Sequence, residues 1–383
     1  MERAFKSLHS NESKSYAFTV HSPGRINLIG EHTDYNKGFV LPAAIDKTIS
    51  LKFRANDSLS ECRVYSKEYD NLFTFNLNNI PDARDPWEWF VIGVVSEFIE
   101  LSDKLKGFDC YIESELPVGS GVSSSAALEC GLATGLNELF HIGLGPWDII
   151  KLSQRAEHRF VGTQCGIMDQ FASVLGKEDH AMLLDCESLE FEYIPMSIQP
   201  YCLLLLNTNV DHELSSGNYN DRRKECEEGL MVIKKQFAKV NSLRDVTLEM
   251  LAVCKPSMPS TAHKRCHYVI EENQRVLEAV EALKNNDLKK TGQLMYETHK
   301  GLSETYEVSC PELDFLVEMS RENNSVLGAR MMGGGFGGCT INLIHSEAVE
   351  TFVQEVSKSY YKRFNIQLTS FQSIPSAGTF ITT

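Results

Sequence analysis

The stretch Leu116-Pro117-Val118-Gly119-Ser120-Gly121-Val122-Ser123-Ser124-Ser125-Ala126-Ala127 carries the residue types that hold a phosphate. Gly119 and Gly121 allow a sharp turn and a close backbone approach. Serine is a preferred helix N-cap, and Ala126, Ala127, Leu128 and Glu129 propagate a helix well. A flexible turn that feeds a helix start offers unpaired N–H groups and the positive end of the helix dipole to an anion. An ordinary loop with a serine cap has the same composition, so the stretch alone is a candidate site and no more.

Three further stretches carry unusual chemistry. Ser22-Pro23-Gly24-Arg25-Ile26-Asn27-Leu28-Ile29-Gly30-Glu31-His32-Thr33-Asp34-Tyr35-Asn36 interleaves Arg25, Asn27, Glu31, His32, Asp34 and Asn36 with large aliphatics. A solvated loop explains any one of these polar residues; six among buried-looking aliphatics fit a lined pocket for a polyhydroxylated ligand. In Cys165-Gly166-Ile167-Met168-Asp169-Gln170-Phe171 an aspartate stands in an apolar setting, as an ion-paired structural residue or a catalytic one. Met331-Met332-Gly333-Gly334-Gly335-Phe336-Gly337-Gly338-Cys339 is too glycine-rich for regular structure.

Composition narrows the function classes. The 383 residues carry a net charge of −15, which argues against bulk electrostatic binding to nucleic acid. An acidic chain that handles a polyanion needs local arginine, lysine or metal. Eleven cysteines without a C-x-x-C pair suggest free thiols in a reducing cytosol. Met1–Ser15 is polar and unlike a signal peptide, and the longest apolar run, Cys202–Leu206, is too short to span a bilayer.

The elements that must position these stretches read as follows. Strands are expected at 16–20, 49–54, 62–65, 108–114, 181–185, 202–207, 325–329 and 339–344, with 181–185 at a sheet edge and 202–207 fully buried. Pro23-Gly24 reads as a turn. Helices are expected over 86–105, 124–139, 148–160 and a short stretch to 175, then 225–238, 264–285, 288–298, 311–323 and 345–363. Ser215–Asn220 reads as loop, and Arg222, Arg223 and Lys224 in the first turns of the next helix hint at a nearby anion. The first half is richer in strands and the second in helices, with a boundary near 200 and a last strand that could return to the first half.

The sequence contains no G-x-x-x-x-G-K-[ST], Asp-Phe-Gly or His-Arg-Asp, which argues against a Walker-type NTPase and a protein kinase. Its four stretches, in order, resemble the signature motifs of the GHMP small-molecule kinases. Gly30-Glu31-His32-Thr33-Asp34-Tyr35 makes the resemblance specific to galactokinases, since mevalonate and homoserine kinases lack that run. Val122 stands where the family has leucine, and Ile92 where lysine is frequent.

The resemblance implies an α+β fold of two domains with the active site in the cleft between them. Residues 1–200 would form a mixed-sheet N-terminal domain holding the sugar signature, the phosphate loop and the catalytic aspartate. Residues 201–383 would form a helix-rich, ferredoxin-like C-terminal domain with the glycine-rich motif. It implies transfer of the γ-phosphoryl group of ATP to the anomeric hydroxyl of D-galactose, with Mg²⁺, as the first committed step of galactose catabolism. Asp169 would be the catalytic base and Arg25 its partner. Glu31, His32, Asp34, Gly166 and Tyr219 would bind the sugar. Gly119, Ser120, Gly121, Val122, Ser123, Ser124 and Ser125 would wrap the ATP phosphates, Trp87 would pack on adenine, and Ser125 and Glu157 would hold Mg²⁺. A cytoplasmic monomer is expected, acting on galactose and ATP without nucleic-acid or membrane partners. The alternatives are a kinase for N-acetylgalactosamine or arabinose, and a non-catalytic galactose sensor. The intact Ser123-Ser124-Ser125-Ala126-Ala127 run and the presence of Asp169 speak against the sensor.

Overall fold

The computed structural model describes residues 16–117, 119–210 and 215–383. Val118 of the phosphate-loop stretch lies outside these residues, as do the side chains of Ser215 and Ser216. Chain order is β1 (Phe18–Asn27), β2 (Phe39–Val40), β3 (Pro42–Ala55), β4 (Glu61–Ser66), β5 (Asn71–Asn76), α1 (Pro86–Leu101), β6 (Phe108–Ser114), α2 (Ser124–Leu139), α3 (Pro146–Ala156), α4 (Met168–Leu175), β7 (His180–Asp185), β8 (Phe191–Pro195) and β9 (Tyr201–Asn207). The helix-rich part follows with α5 (Ser215–Gln236), α6 (Leu248–Cys254), α7 (Ser260–Lys284), α8 (Leu288–Lys300), α9 (Pro311–Glu322), β10 (Val326–Met331), β11 (Cys339–His345), α10 (Val349–Phe364), β12 (Thr369–Ser373) and β13 (Phe380–Thr382).

Three sheets organise the chain, in the orders β13-β1-β3-β6-β4-β5, β10-β11-β9-β12 and β2-β7-β8. Within the first, β4 and β6 run parallel and the other pairs antiparallel. The expected return of the last strand is observed: Val20 on β1 is paired with Ile381 on β13. Strand β9 is buried between β11 and β12, as its unbroken run of leucines predicts. Strand β7 lies between β2 and β8, so its expected edge position is corrected.

Pro23-Gly24 is not a turn. It lies inside β1, where the register to β3 shifts between Pro23 and Arg25. A bulge is one of the few places where a sheet accommodates proline, which cannot donate to the ladder. The extra residues are on β3, where Ile45, Asp46 and Lys47 face Gly24 alone, and the pairing resumes at Arg25.

Helix α2 lies almost in contact with the sheet. A Cβ on Gly135 would stand 2.1 Å from the Phe53 ring on β3, so only glycine permits this approach. The helix N-terminus, with the phosphate-loop turn ahead of it, is thereby fixed against β1. Helix α3 ends at Ala156 and passes into a π-turn, Glu157–Val161, where a single helix to 160 was expected. Such widened turns recur at functional positions because they rotate one side chain out of helical phase; here that residue is Glu157. Ser215–Asn220 is the start of α5, not a loop. Tertiary contact overrides local preference there, as Tyr219 packs on His32 and Tyr35. Arg222 and Arg223 serve the protein itself. Arg222 Nε donates to the Tyr306 carbonyl at 2.9 Å, and Arg223 Nη1 to the Gln164 carbonyl at 3.0 Å. They need no external anion.

The largest apolar cluster contains Val20, Leu51, Phe98 and Leu132 from the first half together with Leu203, Leu205, Val276 and Met332 from the second. Ile92 lies inside it and is buried. Among the described residues no helix is long and apolar enough to cross a membrane.

Candidate active site

Arg25, where β1 resumes pairing after the bulge on β3, meets Asp169 in the first turn of α4. Arg25 Nε donates to Asp169 Oδ1 at 2.7 Å and Nη2 donates to Oδ2 at 3.0 Å, a forked geometry natural to guanidinium and carboxylate. Arg25 Nη1 donates to the Gly121 carbonyl at 2.7 Å, and its backbone N–H to the Val122 carbonyl at 3.0 Å. The Ser123 hydroxyl donates to Asp169 Oδ2. One arginine thus joins the aspartate to the glycine-serine turn. Asp169 keeps 25% of its side-chain surface exposed against 5% for Arg25, so the carboxylate is the member that faces the cleft.

The turn itself has positive φ at Gly119, Gly121 and Ser123. Ser123 occupies the N-cap position of α2 without making a side-chain cap, because its hydroxyl is committed to Asp169. The expectation of a serine-capped helix is corrected on that point. Ser120 turns its hydroxyl onto the Pro117 carbonyl at 2.7 Å and is buried. Val122 is also buried, while Gly119, Gly121 and Ser124 are exposed. Ser124 and Ser125 line one cavity with Trp87, Pro86, Phe90 and Tyr69. The Tyr69 ring lies nearly parallel to Trp87 at 6.1 Å, and Trp87 Nε1 is buried without a partner among the described residues. This gives a flat, apolar slot beside the exposed serines.

On the other side of Asp169, Asp34 and Gly166 meet. A Cβ at position 166 would fall 1.8 Å from Asp34 Oδ2, so glycine is what lets this carboxyl lie there. The Asp34 carboxyl is pushed up to about 7, first by burial and then by the negative charge of Asp169. His32 adopts φ +63° and packs on Tyr219 and Tyr306, with ring centroids 5.3 and 4.9 Å away. Burial pushes His32 down to about 4, against the pull of Glu31.

Glu31 is held by more partners than a surface-lining residue needs. Its Oε1 accepts from Arg330 Nη1 and Nη2, both at 3.1 Å, and from the Gly333 N–H at 2.8 Å. Its Oε2 accepts from Asn27 Nδ2 at 3.0 Å, with no second donor among the described residues. Arg330 is fully buried and also donates to the Leu28, Asn27 and Met331 carbonyls. Sequence reasoning missed Arg330. The available signal was a lone cation within the otherwise apolar strand Val-Leu-Gly-Ala-Arg-Met.

Glu157 accepts from Gln170 Nε2 at 2.9 Å and from the Cys165 thiol at 3.4 Å. It is pushed up to about 7 by burial and then by Asp169. Glu129, also missed, is buried beside it and shares Gln170, with Oε2 3.4 Å from Nε2; burial and the charge of Glu157 raise its carboxyl well above the usual range. Among the described residues no group of three or more His, Cys, Asp or Glu side chains is placed to hold a metal.

Comparison with known proteins bears on this arrangement. The family model for the GHMP kinases N terminal domain matches residues 90–177, and that for the GHMP kinases C terminal matches residues 279–362. The galactokinase galactose-binding signature matches residues 3–54. A galactokinase of Thermotoga maritima is 42% identical over 349 residues, spanning 91% of this chain and 95% of that protein. The chain belongs to the galactokinase family. A second member, from Thermosipho africanus, is 40% identical over 367 residues and covers 94% of this chain and 98% of its own length. The family fold extends to the whole chain: the crystal structure of Lactococcus lactis galactokinase complexed with galactose superposes with a TM-score of 0.93 at 31% identity, covering 99% of both chains. Mevalonate kinase of Methanococcus jannaschii shares the fold, with a TM-score of 0.67 at 18% identity.

Two predictions arise from the charge network. Arg330→Met strands the buried Glu31 carboxylate and three carbonyls, and should lower the free energy of unfolding by about 3–5 kcal/mol. Urea titration measures this, and adding Glu31→Gln should restore part of the loss. Asp34, facing Asp169, Glu31 and Arg25, is protonated below about 7 and charged above it. A charged carboxylate is the better acceptor for a hydroxyl, so if Asp34 meets the sugar, the galactose KM should fall as pH rises through about 7. Asp34→Asn should flatten that dependence. The folded state holds this proton where the unfolded chain releases it near about 4, so stability without ligands should decline as pH rises between those values.

Proposed function

We propose that this chain is a galactokinase in activity as well as family: it transfers the γ-phosphoryl group of ATP to the anomeric hydroxyl of galactose, giving galactose 1-phosphate and ADP. The observation that carries this is the Arg25–Asp169 pair, which locks a cleft-facing carboxylate to the glycine-serine turn. Any phosphate held at that turn is next to the aspartate by construction.

The roles of the residues follow from what each has left to offer. Asp169 Oδ2 accepts from Arg25 and Ser123, while Oδ1 accepts only from Arg25. The remaining lone pair on Oδ1 receives the proton of the anomeric hydroxyl, or orients it during transfer. Arg25 stays charged beside it and opposes the negative charge that develops on the phosphoryl oxygens. Asp34, Glu31 Oε2, His32, Tyr219 and the backbone of Gly166 bind the sugar hydroxyls. The Gly119–Ser125 turn, exposed at Gly119, Gly121 and Ser124, wraps the triphosphate, and Trp87 with Tyr69 holds the adenine.

The donor set fits Mg²⁺. Ser125 and Glu157 supply hard oxygens, and the upward shifts of Glu157 and Glu129 beside Asp169 mark a place where a carboxylate is costly to charge until a divalent cation is present. Mg²⁺ at Ser125 and Glu157 would neutralise phosphate charge when bound. With so few protein ligands its coordination depends on phosphate oxygens, so cation and nucleotide bind as one unit. The substrates lie between residues 1–200 and 201–383, the two kinase domains of this reading. A single chain supplies every group named, consistent with a monomer. All eleven cysteines are free, consistent with a reducing cytoplasm.

A coupled ADP-release assay with a panel of sugars tests the assignment. Galactose should be turned over well ahead of N-acetylgalactosamine and arabinose; the reverse order would sink it. Asp169→Ala should reduce kcat by ~10²-fold or more with the fold intact by circular dichroism. Glu157→Gln should raise the Mg²⁺ concentration needed for half-maximal rate by about tenfold or more, read from a metal titration at fixed ATP.

A further inference from the structure

His32, Tyr35, Tyr306 and Cys226 form a continuous chain of hydrogen-bonding groups. His32 Nδ1 is 2.7 Å from Tyr35 Oη, Tyr35 Oη is 2.8 Å from Tyr306 Oη, and Tyr306 Oη is 3.2 Å from Cys226 Sγ. Tyr306 and Cys226 are buried in the second half of the chain, whereas His32 and Tyr35 belong to the sugar signature. The other ring nitrogen, His32 Nε2, is buried and makes no well-formed hydrogen bond among the described residues, although the Gly334 backbone stands close enough to favour a proton on the ring. One nitrogen is thus firmly bonded and the other only loosely met, which leaves Nε2 able to turn to a ligand.

We propose that Tyr35 and Tyr306 act as positioning residues, a relay that makes Nδ1 of His32 an acceptor and so leaves Nε2–H as a donor aimed at a hydroxyl of the sugar. The proposal rests on the placement of His32 in the sugar pocket. The direction of the relay follows from donor and acceptor strengths. The chain can run from thiol to imidazole or the reverse. Run toward the imidazole, it uses a weak S–H donor, then two phenolic O–H donors, and ends on the imidazole nitrogen, the strongest acceptor present. Run the other way, it ends with a phenol donating to a neutral sulfur, a poor acceptor. Burial holds the Cys226 thiol up at about 12, so its proton is available to start the chain. The 2.7 Å contact at Nδ1 is at the short limit for an N–H donor and ordinary for an O–H donor. With His32 neutral through burial, the ring has a single N–H, and placing Nδ1 as acceptor assigns that hydrogen to Nε2.

The backbone fixes the ring as firmly as the relay fixes its proton. His32 stands in the left-handed region, Asn36 Nδ2 donates to its carbonyl at 2.9 Å, and Tyr219 and Tyr306 flank the ring. Only the tautomer remains to be set, and Tyr35 is the one group bonded to Nδ1. A flipped tautomer would present a lone pair where a donor is needed. Sugar hydroxyls can answer either, but the acidic neighbours Glu31 and Asp34 already supply acceptors, so a donor is what the pocket lacks on that side.

The test uses the full chain labelled with ¹⁵N-histidine. Long-range ¹H–¹⁵N correlation spectra report the tautomer, with His32→Gln identifying the signal. The wild type should show His32 protonated at Nε2, and Tyr35→Phe should show a mixture of tautomers. Tyr35→Phe should raise the galactose KM about three- to tenfold, the worth of one neutral hydrogen bond, with kcat and the ATP KM within about twofold. Tyr306→Phe should move both readouts in the same direction by less, and it serves in place of Tyr35→Phe should that variant not fold. An Nδ1-protonated ring in the wild type, or an unaltered tautomer in both variants, overturns the relay and leaves the kinase reading intact. The expected tautomers with an unchanged galactose KM overturn the link to the sugar. A wild type inactive on galactose overturns both readings before any variant is made.

Discussion

The Glu31–Arg330 ion pair is the interaction on which the site's shape depends. Both side chains are buried, and a charge taken out of water is tolerated only when every remaining donor and acceptor is satisfied. Here the satisfaction comes from two distant parts of the chain. Arg330 on β10 reaches the Asn27 and Leu28 carbonyls at the end of β1, and Glu31 reaches the Gly333 N–H of the glycine-rich turn. The sugar signature and the glycine-rich turn are therefore two sides of one charge network. Replacing the pair by apolar residues of similar volume need not weaken the fold, but it would free the two motifs from a common geometry.

The same logic governs the Arg25–Asp169 pair. A carboxylate meant to meet a sugar must keep a free lone pair and some exposure, while its orientation must be fixed. A forked arginine meets both demands because it occupies only one edge of the carboxylate. By also bonding the Gly121 and Val122 carbonyls, Arg25 makes the distance between turn and aspartate a property of one rigid side chain. For phosphoryl transfer, where positioning is most of the catalysis, that is a direct route from fold to rate.

What could be read from the sequence follows the range of the interactions. Apolar alternation placed β6 without error, and the leucine run of β9 announced a buried strand. The four polar stretches stood out because glycine and charge are locally anomalous. Pro23-Gly24 was misread because its role, a bulge, is defined by β3 and not by its neighbours in sequence. Ser215–Asn220 was misread because Tyr219 gains contacts with His32 and Tyr35 that no local propensity encodes. The members of the site that escaped notice, Arg330, Glu129 and Tyr306, share one property. Each is ordinary in its own element and acquires meaning only from a partner more than twenty residues away.

The distribution of unfavourable electrostatics points the same way as the motifs. Asp34, Glu157 and Glu129 all have their carboxyls shifted upward, with burial as the leading cause and another carboxylate adding to it. A fold selected for stability alone has no reason to gather acids around Asp169. Under the proposed assignment, the cost sustained in the unliganded state would be offset when hydroxyl donors and a cation arrive. That view also explains why the cations of the neighbourhood are not free to neutralise the cluster. Arg25 has one carboxylate partner, Arg330 is committed to Glu31 and three carbonyls, and Arg222 and Arg223 are committed to carbonyls and glutamates elsewhere. The protein confines its positive charge here to positions that fix geometry, and among the described residues no cation is bonded to Asp34, Glu157 or Glu129.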